Sequence, residues 1–202
     1  MVYNFLLDLI FPRICLCCRE GTADKVFCRT CWELLALPDP VERCRHCFKL
    51  GEEEICKTCY SDPKLCFPRA YLFEESFPSL ILKRKMSEAV AALAGFAYIL
   101  WHRLEWDLPD LVIPVPDQNG SKAIFQIAKI FSKLIERPFK KVLKRTHSGF
   151  LNPDISLKTE EKENQKILLF DGMSDSSWLQ KACAQTSEIF PKRAQIFSLF
   201  HT

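Results

Sequence analysis

No apolar run in these 202 residues is long enough to cross a bilayer. The longest near-apolar stretch, Ala89 to Trp101, has thirteen residues where about 20 are needed. A membrane-spanning helix is therefore not expected. No Lys or Arg precedes the apolar stretch at the amino terminus, and Asp8 interrupts it, so a secretion signal is not expected either. There is no HExxH sequence, no Walker-type loop and no defensible Ser/His/Asp arrangement, which removes the simplest metalloprotease, nucleotidase and hydrolase readings. Strong charge imbalance is missing as well. The formal charge is +3 with thiols counted neutral, and eight thiolates on two divalent ions would bring it to −1, so composition makes no case for a nucleic-acid binder.

What the chain has in quantity is cysteine. Eleven are present, and without a secretion signal they are expected to be reduced thiols in a cytoplasmic protein. Hydrophobic residues make up 48% of the sequence, enough to bury a real core. Ten cysteines lie between Cys15 and Cys66, and the remaining one is Cys183. The composition changes near Pro68, which divides the chain into a Cys-rich module, residues 1–68, and a second domain, residues 69–202. The first part has few long apolar runs and turn-rich pieces such as Leu37-Pro38-Asp39-Pro40. It cannot build much of a core unaided. Each part is expected to have its own core, so damage to the first should spare the second.

From Arg69 onward, apolar strand-like runs alternate with stretches of helical period, the pattern of an α/β domain. Strands are expected at Arg69 to Phe73, Leu111 to Val115, Phe139 to Leu143, Ile167 to Phe170 (ending at Asp171) and Ala194 to Phe200. Ser87 reads as the N-cap of a helix from about Glu88 to Leu104. A turn at Asp117-Gln118-Asn119-Gly120 precedes Ser121 to Ile135, where Ile124, Ile127, Ala128, Phe131, Leu134 and Ile135 form a helical stripe. Glu160 to Lys166 reads as a solvated charged loop, and a last helix is expected from about Ser176 to Ile189. Strands linked by helices imply a mainly parallel sheet covered on both faces.

The strongest signal is four CxxC pairs: Cys15/Cys18, Cys28/Cys31, Cys44/Cys47 and Cys56/Cys59, separated by nine, twelve and eight residues. A CxxC knuckle wraps two thiolates around one side of a soft cation, and two knuckles complete a tetrahedral four-cysteine shell for Zn2+. Eight ligands make two closed shells. A closed shell leaves no position for substrate, so both sites are expected to be structural, and their binding energy is also folding energy. Sequential pairing makes a double zinc ribbon, and cross-bracing of alternate pairs uses the same ligands; the short spacers favour the sequential form. A redox CxxC is a poor fit, because no βαβ pattern surrounds any pair. Cys17, Cys66 and Cys183 read as packing residues, and His46 as a solvent-facing side chain inside a knuckle.

FLLDLIFPRICLCC at the start, CRTCWELL after the second knuckle, the two later knuckles, the Leu82-Lys83 step and VIPVP together resemble the ComF family over nearly the whole chain. The resemblance implies an N-terminal zinc module joined to a phosphoribosyltransferase-like domain. It also implies a bacterial protein that handles incoming single-stranded DNA in natural transformation, with DNA and competence-machinery proteins as partners. In that family the strand matching Ile167 to Phe170 leads into a phosphoribosyl pyrophosphate loop, Asp-Asp-x-x-Thr-Thr-Gly-x-Thr. Acids there bind ribose hydroxyls, while hydroxyls and amides at a helix start hold the phosphate. Here the stretch is Asp171-Gly172-Met173-Ser174-Asp175-Ser176-Ser177-Trp178-Leu179. Asp171 keeps the first acid, and Ser174, Ser176 and Ser177 are the remaining candidates for a vestigial ligand loop. Gly172 removes the second carboxylate, Asp175 puts an anion where phosphate should sit, and Ser177 replaces a glycine. The family's Arg-Gly-Phe-Asn-Gln stretch is reduced to Ala123-Ile124-Phe125-Gln126.

These departures speak against Mg2+ and phosphoribosyl pyrophosphate as cofactors and leave no residue to name as catalytic. The plain alternative for Asp171 to Ser177 is a βα turn with Asp175 or Ser176 as helix N-cap. Lys140, Lys141, Lys144, Arg145 and His147, with Lys83, Arg84 and Lys85, could face a nucleic-acid backbone or form an ordinary solvated surface. Three functions follow: a DNA-handling adaptor, an active phosphoribosyltransferase, or a structural protein whose zinc module docks another chain. The adaptor is the favoured reading.

Overall fold

The computed structural model describes residues 14–22, 26–35, 37–51, 53–61, 68–116, 122–145, 151–153, 165–173, 179, 181–184, 186 and 194–201. Two short helices carry the later cysteines of the N-terminal part, α1 (Arg29–Glu33) and α2 (Lys57–Ser61). Beyond them lie β1 (Arg69–Phe73), α3 (Phe77–Arg84), α4 (Val90–Leu104), β2 (Leu111–Pro114), α5 (Ala123–Leu134), β3 (Leu143–Arg145), β4 (Leu151–Pro153), β5 (Ile167–Met173) and β6 (Ala194–Phe200). Four strands form a sheet in the order β1-β6-β5-β2, and every neighbour pair in it is parallel.

Each face of that sheet is covered, because its strands are apolar on both sides. On one face Val112, Leu168, Phe170, Phe197 and Leu199 meet Ile124, Ile127 and Phe131 of α5 and the apolar side of α4. Phe131 fills the centre: its ring lies 5.8 Å from Trp101, 5.3 Å from Phe170 and 5.9 Å from Phe197. On the other face Ile113, Leu169 and Ile196 pack under Val142, Leu143, Leu179 and Ala182, with Cys183 beside them. The expected architecture of a parallel sheet flanked by helices behind a Cys-rich module is thus observed. Among the described residues no helix is long and apolar enough to cross a membrane.

Several local expectations need correction. Ser87 does not cap a helix; it sits inside a 3-10 turn, Met86–Glu88, and α4 begins at Val90 without a side-chain cap. The cap belongs one helix earlier. Ser76 and Ser79 form a reciprocal capping box ahead of α3, a helix absent from the sequence reading although Pro78 in its first turn is a recognised start signal. Phe139 makes only a single parallel bridge to Val112, and the strand nearby, β3, pairs antiparallel with β4 instead. β5 continues past Asp171 to Met173. The turn at 117–120, most of the 160–166 loop, Cys66 and His147 lie outside the described residues, as does most of the last expected helix, of which Leu179, residues 181–184 and Thr186 are helical.

The expectation of two separate cores is also corrected. Cys15, Cys17, Phe27, Cys31, Leu35 and Phe48 belong to the same buried cluster as Ala70, Leu72, Phe73 and Leu93. Trp32 of α1 lies edge-on to Phe96 of α4 at 4.8 Å and to Phe27 at 5.6 Å. Phe48 lies edge-on to Tyr71 at 5.1 Å. Polar links cross the same seam, with Arg69 N–H donating to the His46 carbonyl at 2.8 Å and Arg103 paired with Asp39 at 3.1 Å. A module too small to bury its own apolar side chains finishes its interior against the α/β domain.

Candidate metal centres

The first CxxC knuckle of each group makes a tight turn, and backbone amides point at its leading sulfur. The Cys17 N–H points at Cys15 Sγ at 3.4 Å within one knuckle, and the Cys56 N–H of the following knuckle points across at Cys44 Sγ at 3.3 Å. The turn closes through Arg19 N–H to the Cys15 carbonyl and Phe48 N–H to the Cys44 carbonyl, at 3.1 and 2.8 Å. Arg19 and Phe48, each one residue past the second cysteine, take left-handed backbone angles, φ 67° and 60°. That conformation costs an ordinary residue about 1–2 kcal/mol, which the turn must offset.

These knuckles bring all eight predicted ligands into two groups. Cys15, Cys18, Cys28 and Cys31 form one, and Cys44, Cys47, Cys56 and Cys59 the other, with the sulfurs of each group all within 4.8 Å of one another. The grouping is sequential. Across the knuckles, Cys18 Sγ lies 3.6 Å from Cys28 Sγ, and Cys47 Sγ 3.6 Å from Cys56 Sγ. Zn–S bonds of about 2.3 Å imply a tetrahedron edge of about 3.8 Å. Each group can therefore hold one tetrahedral ion of that size.

Electrostatics at the two groups is alike. Burial pushes the Cys15 thiol up, but hydrogen bonds from the backbone of Cys28, Cys18 and Cys17 outweigh it and bring the pKa to about 6. Cys44 follows the same pattern, with burial opposed by the backbone of Cys56, Cys47 and His46, and also reaches about 6. Cys31 and Cys59 are pushed up, first by burial and then by the neighbouring thiols. Four sulfurs with no cation between them cannot all ionise, whereas a divalent ion reverses that penalty. Cys17, outside both groups, is buried and pushed up to about 11 by burial and by Cys15, as a packing thiol should be.

The two groups are also structural repeats. The first knuckle of one maps on that of the other by a shift of 29 residues, and the second by 28. Matching hydrogen bonds follow: Cys15 N–H to Glu20 O and Cys44 N–H to Lys49 O, Leu16 N–H to Val26 O and Arg45 N–H to Glu54 O, Trp32 N–H to Cys28 O and Tyr60 N–H to Cys56 O. Bridges Ile14↔Gly21 and Arg43↔Leu50 flank the first knuckle of each. The spacing of the CxxC pairs carries this signal, and the sequence reading does not use it. Its placement of His46 as solvent-facing is corrected: the side chain is half-buried, with Nδ1 inside.

The second candidate site, at the carboxyl end of β5, keeps less of what was expected. Ser174, Ser176 and Ser177 lie outside the described residues. Asp171 is buried, and its Oδ1 accepts the Gly172 N–H at 2.7 Å. In register beside it across the sheet stand Ser198 of β6 and then Tyr71 of β1. Gly172 is a strand residue that packs toward α5, where a Cβ would come within 3.1 Å of Ile124 Cδ1. A side chain at 172 would thus start against Ile124, which would have to give by a few tenths of an ångström to admit it.

No protein-family model matches the sequence. Nor does any curated protein match it. Among solved structures, the chain is similar to a purine phosphoribosyltransferase from Pyrococcus horikoshii Ot3, with 16% identity over 66% of this chain and 88% of that chain and a TM-score of 0.35. A superposition that slight transfers neither site nor reaction, so the functional reading rests on this chain's own residues.

Proposed function

We propose that the protein is a ComF-like, two-zinc binding or adaptor protein whose phosphoribosyltransferase-like domain, residues 69–202, has lost its reaction, and whose module, residues 1–68, is held by structural Zn2+. Gly172 carries this reading. It is built into β5 against Ile124, where the family pattern asks for a ribose-binding acid. Zinc is supported by the all-thiolate donor set and by sulfur separations close to a zinc–thiolate tetrahedron edge. A closed shell of four thiolates gives the ion no open position, so the metal supplies folding energy rather than reactivity.

The adaptor reading takes single-stranded DNA as the binding partner in a bacterial, cytoplasmic setting, with competence-machinery proteins as further partners. Lys140, Lys141 and Lys144 are exposed at the approach to the β3–β4 ribbon. Lys141 Nζ sits 4.9 Å from the centre of the Phe125 ring, so lysine charge and an aromatic face adjoin, the pairing that single-strand grooves use. The test is a titration with single-stranded DNA over a range of salt. Binding should be weak and steeply salt dependent, and Lys141→Glu with Lys144→Glu should weaken it and reduce the salt slope by about 2. Unchanged binding in the double variant contradicts this surface. In a parallel titration, phosphoribosyl pyrophosphate with Mg2+ should show no saturation at micromolar ligand; saturable Mg2+-dependent binding contradicts the loss of the reaction.

A further inference from the structure

The two repeated units attach to the α/β domain differently. The first does so through apolar contact, Trp32 on Phe96. The second adds a buried cation to its own apolar contact, Phe48 on Tyr71. Arg43 directly precedes the ligand Cys44, and its side chain is 7% exposed. Its Nη1 donates to the carbonyl of Phe48, the left-handed residue that closes the knuckle, at 3.1 Å and to Tyr71 Oη at 2.5 Å. Its Nη2 donates to Glu74 Oε1 at 2.7 Å. The guanidinium also lies 5.3 Å from the Phe48 ring centre and 5.4 Å from that of Tyr71.

The other end of this network is the carboxyl edge of the sheet. Tyr71 Oη donates to Glu74 at 3.3 Å, its ring lies 4.4 Å from that of His201, and His201 N–H donates to the Phe73 carbonyl at 2.9 Å. Tyr71 is in register with Ser198, and Ser198 with Asp171. One planar fork therefore touches both the turn that a metal would fix and the end of β1, which β6 separates from Asp171. A buried guanidinium holding a carbonyl, a phenol and a carboxylate at once has little freedom to shift without losing one of them.

We infer that Arg43 couples metal occupancy of the Cys44/Cys47/Cys56/Cys59 group to the order of the sheet edge formed by the ends of β1 and β6. The coupling rests on the reading that this group holds a metal. With the ion bound, Phe48 is fixed and Arg43 clamps Tyr71 and Glu74; without it, the clamp loses its anchor and the edge beside Asp171 loosens. Coupling of this kind is reciprocal, so a change at the strand end must alter metal retention at a group that it does not touch.

Glu74→Gln in the full, metal-loaded chain tests this. The carboxylate is partly exposed and touches no thiol, so the variant should fold. Metal release to a colorimetric chelator should become roughly threefold faster for one of the two ions, the loss expected for a partly exposed charged pair, and stay unchanged for the other. Hydrogen exchange in peptides covering 69–74 and 194–201 should rise with it. Arg43→Lys keeps a charge but cannot reach three acceptors, and should speed the same ion by about tenfold, as for loss of a charged hydrogen bond. Release of both ions at the unmodified rate in both variants overturns the coupling alone. A chain that purifies with no metal overturns the zinc reading and the coupling together.

Discussion

Replacing Cys44 with Ser should release one of two metal ions and lower the unfolding temperature of the entire chain, α/β domain included. Binding at a structural site of four thiolates is worth about 10–16 kcal/mol, comparable with the whole stability of a domain. Its loss should therefore open the second repeat. That repeat covers Tyr71 with Phe48 and pins β1 through Arg43, and its neighbour shares a buried cluster with α4 and the sheet. In a chain of this size each kcal/mol of cover lost corresponds to about 2–4 °C. Calorimetry of the variant should show the α/β transition shifted down by at least about 5 °C. An α/β transition at the unmodified temperature would mean that the two parts have independent interiors, against the packing seen here.

Phe131→Ala should destabilise the protein by about 3–5 kcal/mol without disturbing either metal centre. Phe131 is fully buried at the meeting point of Trp101, Phe170 and Phe197, so truncation leaves a cavity between rigid rings that cannot collapse into it. Both the lost transfer energy and the unfilled space then count. Denaturant unfolding would read the change as a lower midpoint at unchanged slope. A loss below about 1 kcal/mol would show that α5 is not packed on the sheet as described.

Much of this fold is legible from hydrophobic patterning, for reasons visible in particular elements. The expected bounds of β1 and β6 match those observed, because Arg69 to Phe73 and Ala194 to Phe200 are short apolar runs flanked by residues that break them. The α5 stripe is legible at Ile124, Ile127, Ala128, Phe131 and Ile135, since its apolar spacing is strict, but Leu134, expected on the same face, is exposed. α3 is not: Ser76, Pro78 and Ser79 are individually weak signals, and only their reciprocal hydrogen bonds reveal the cap. The β3–β4 ribbon escapes the sequence because pairing is a nonlocal property that a three-residue strand does not announce.

At the metal centres, ligand identity follows from spacing alone, as four CxxC pairs have few other uses. What spacing does not carry is what lies between the ligands. Arg43 looks like any surface cation in the sequence. Its role depends on Tyr71 and Glu74, 28 and 31 residues further on, meeting it across the seam. Glu74 records that meeting: hydrogen bonding from Arg43, against some burial, holds its carboxyl below the ordinary range. Its contribution to stability is therefore present above the usual glutamate pKa and is lost as pH falls through the lowered value.

Metal analysis of the purified chain, after loosely bound ions are removed, tests the central claim most directly. Two zinc ions per chain are predicted, one for each group of four cysteines. A stoichiometry near one would mean that one shell is not formed, and a value near zero would contradict the zinc-held module and the reading built upon it.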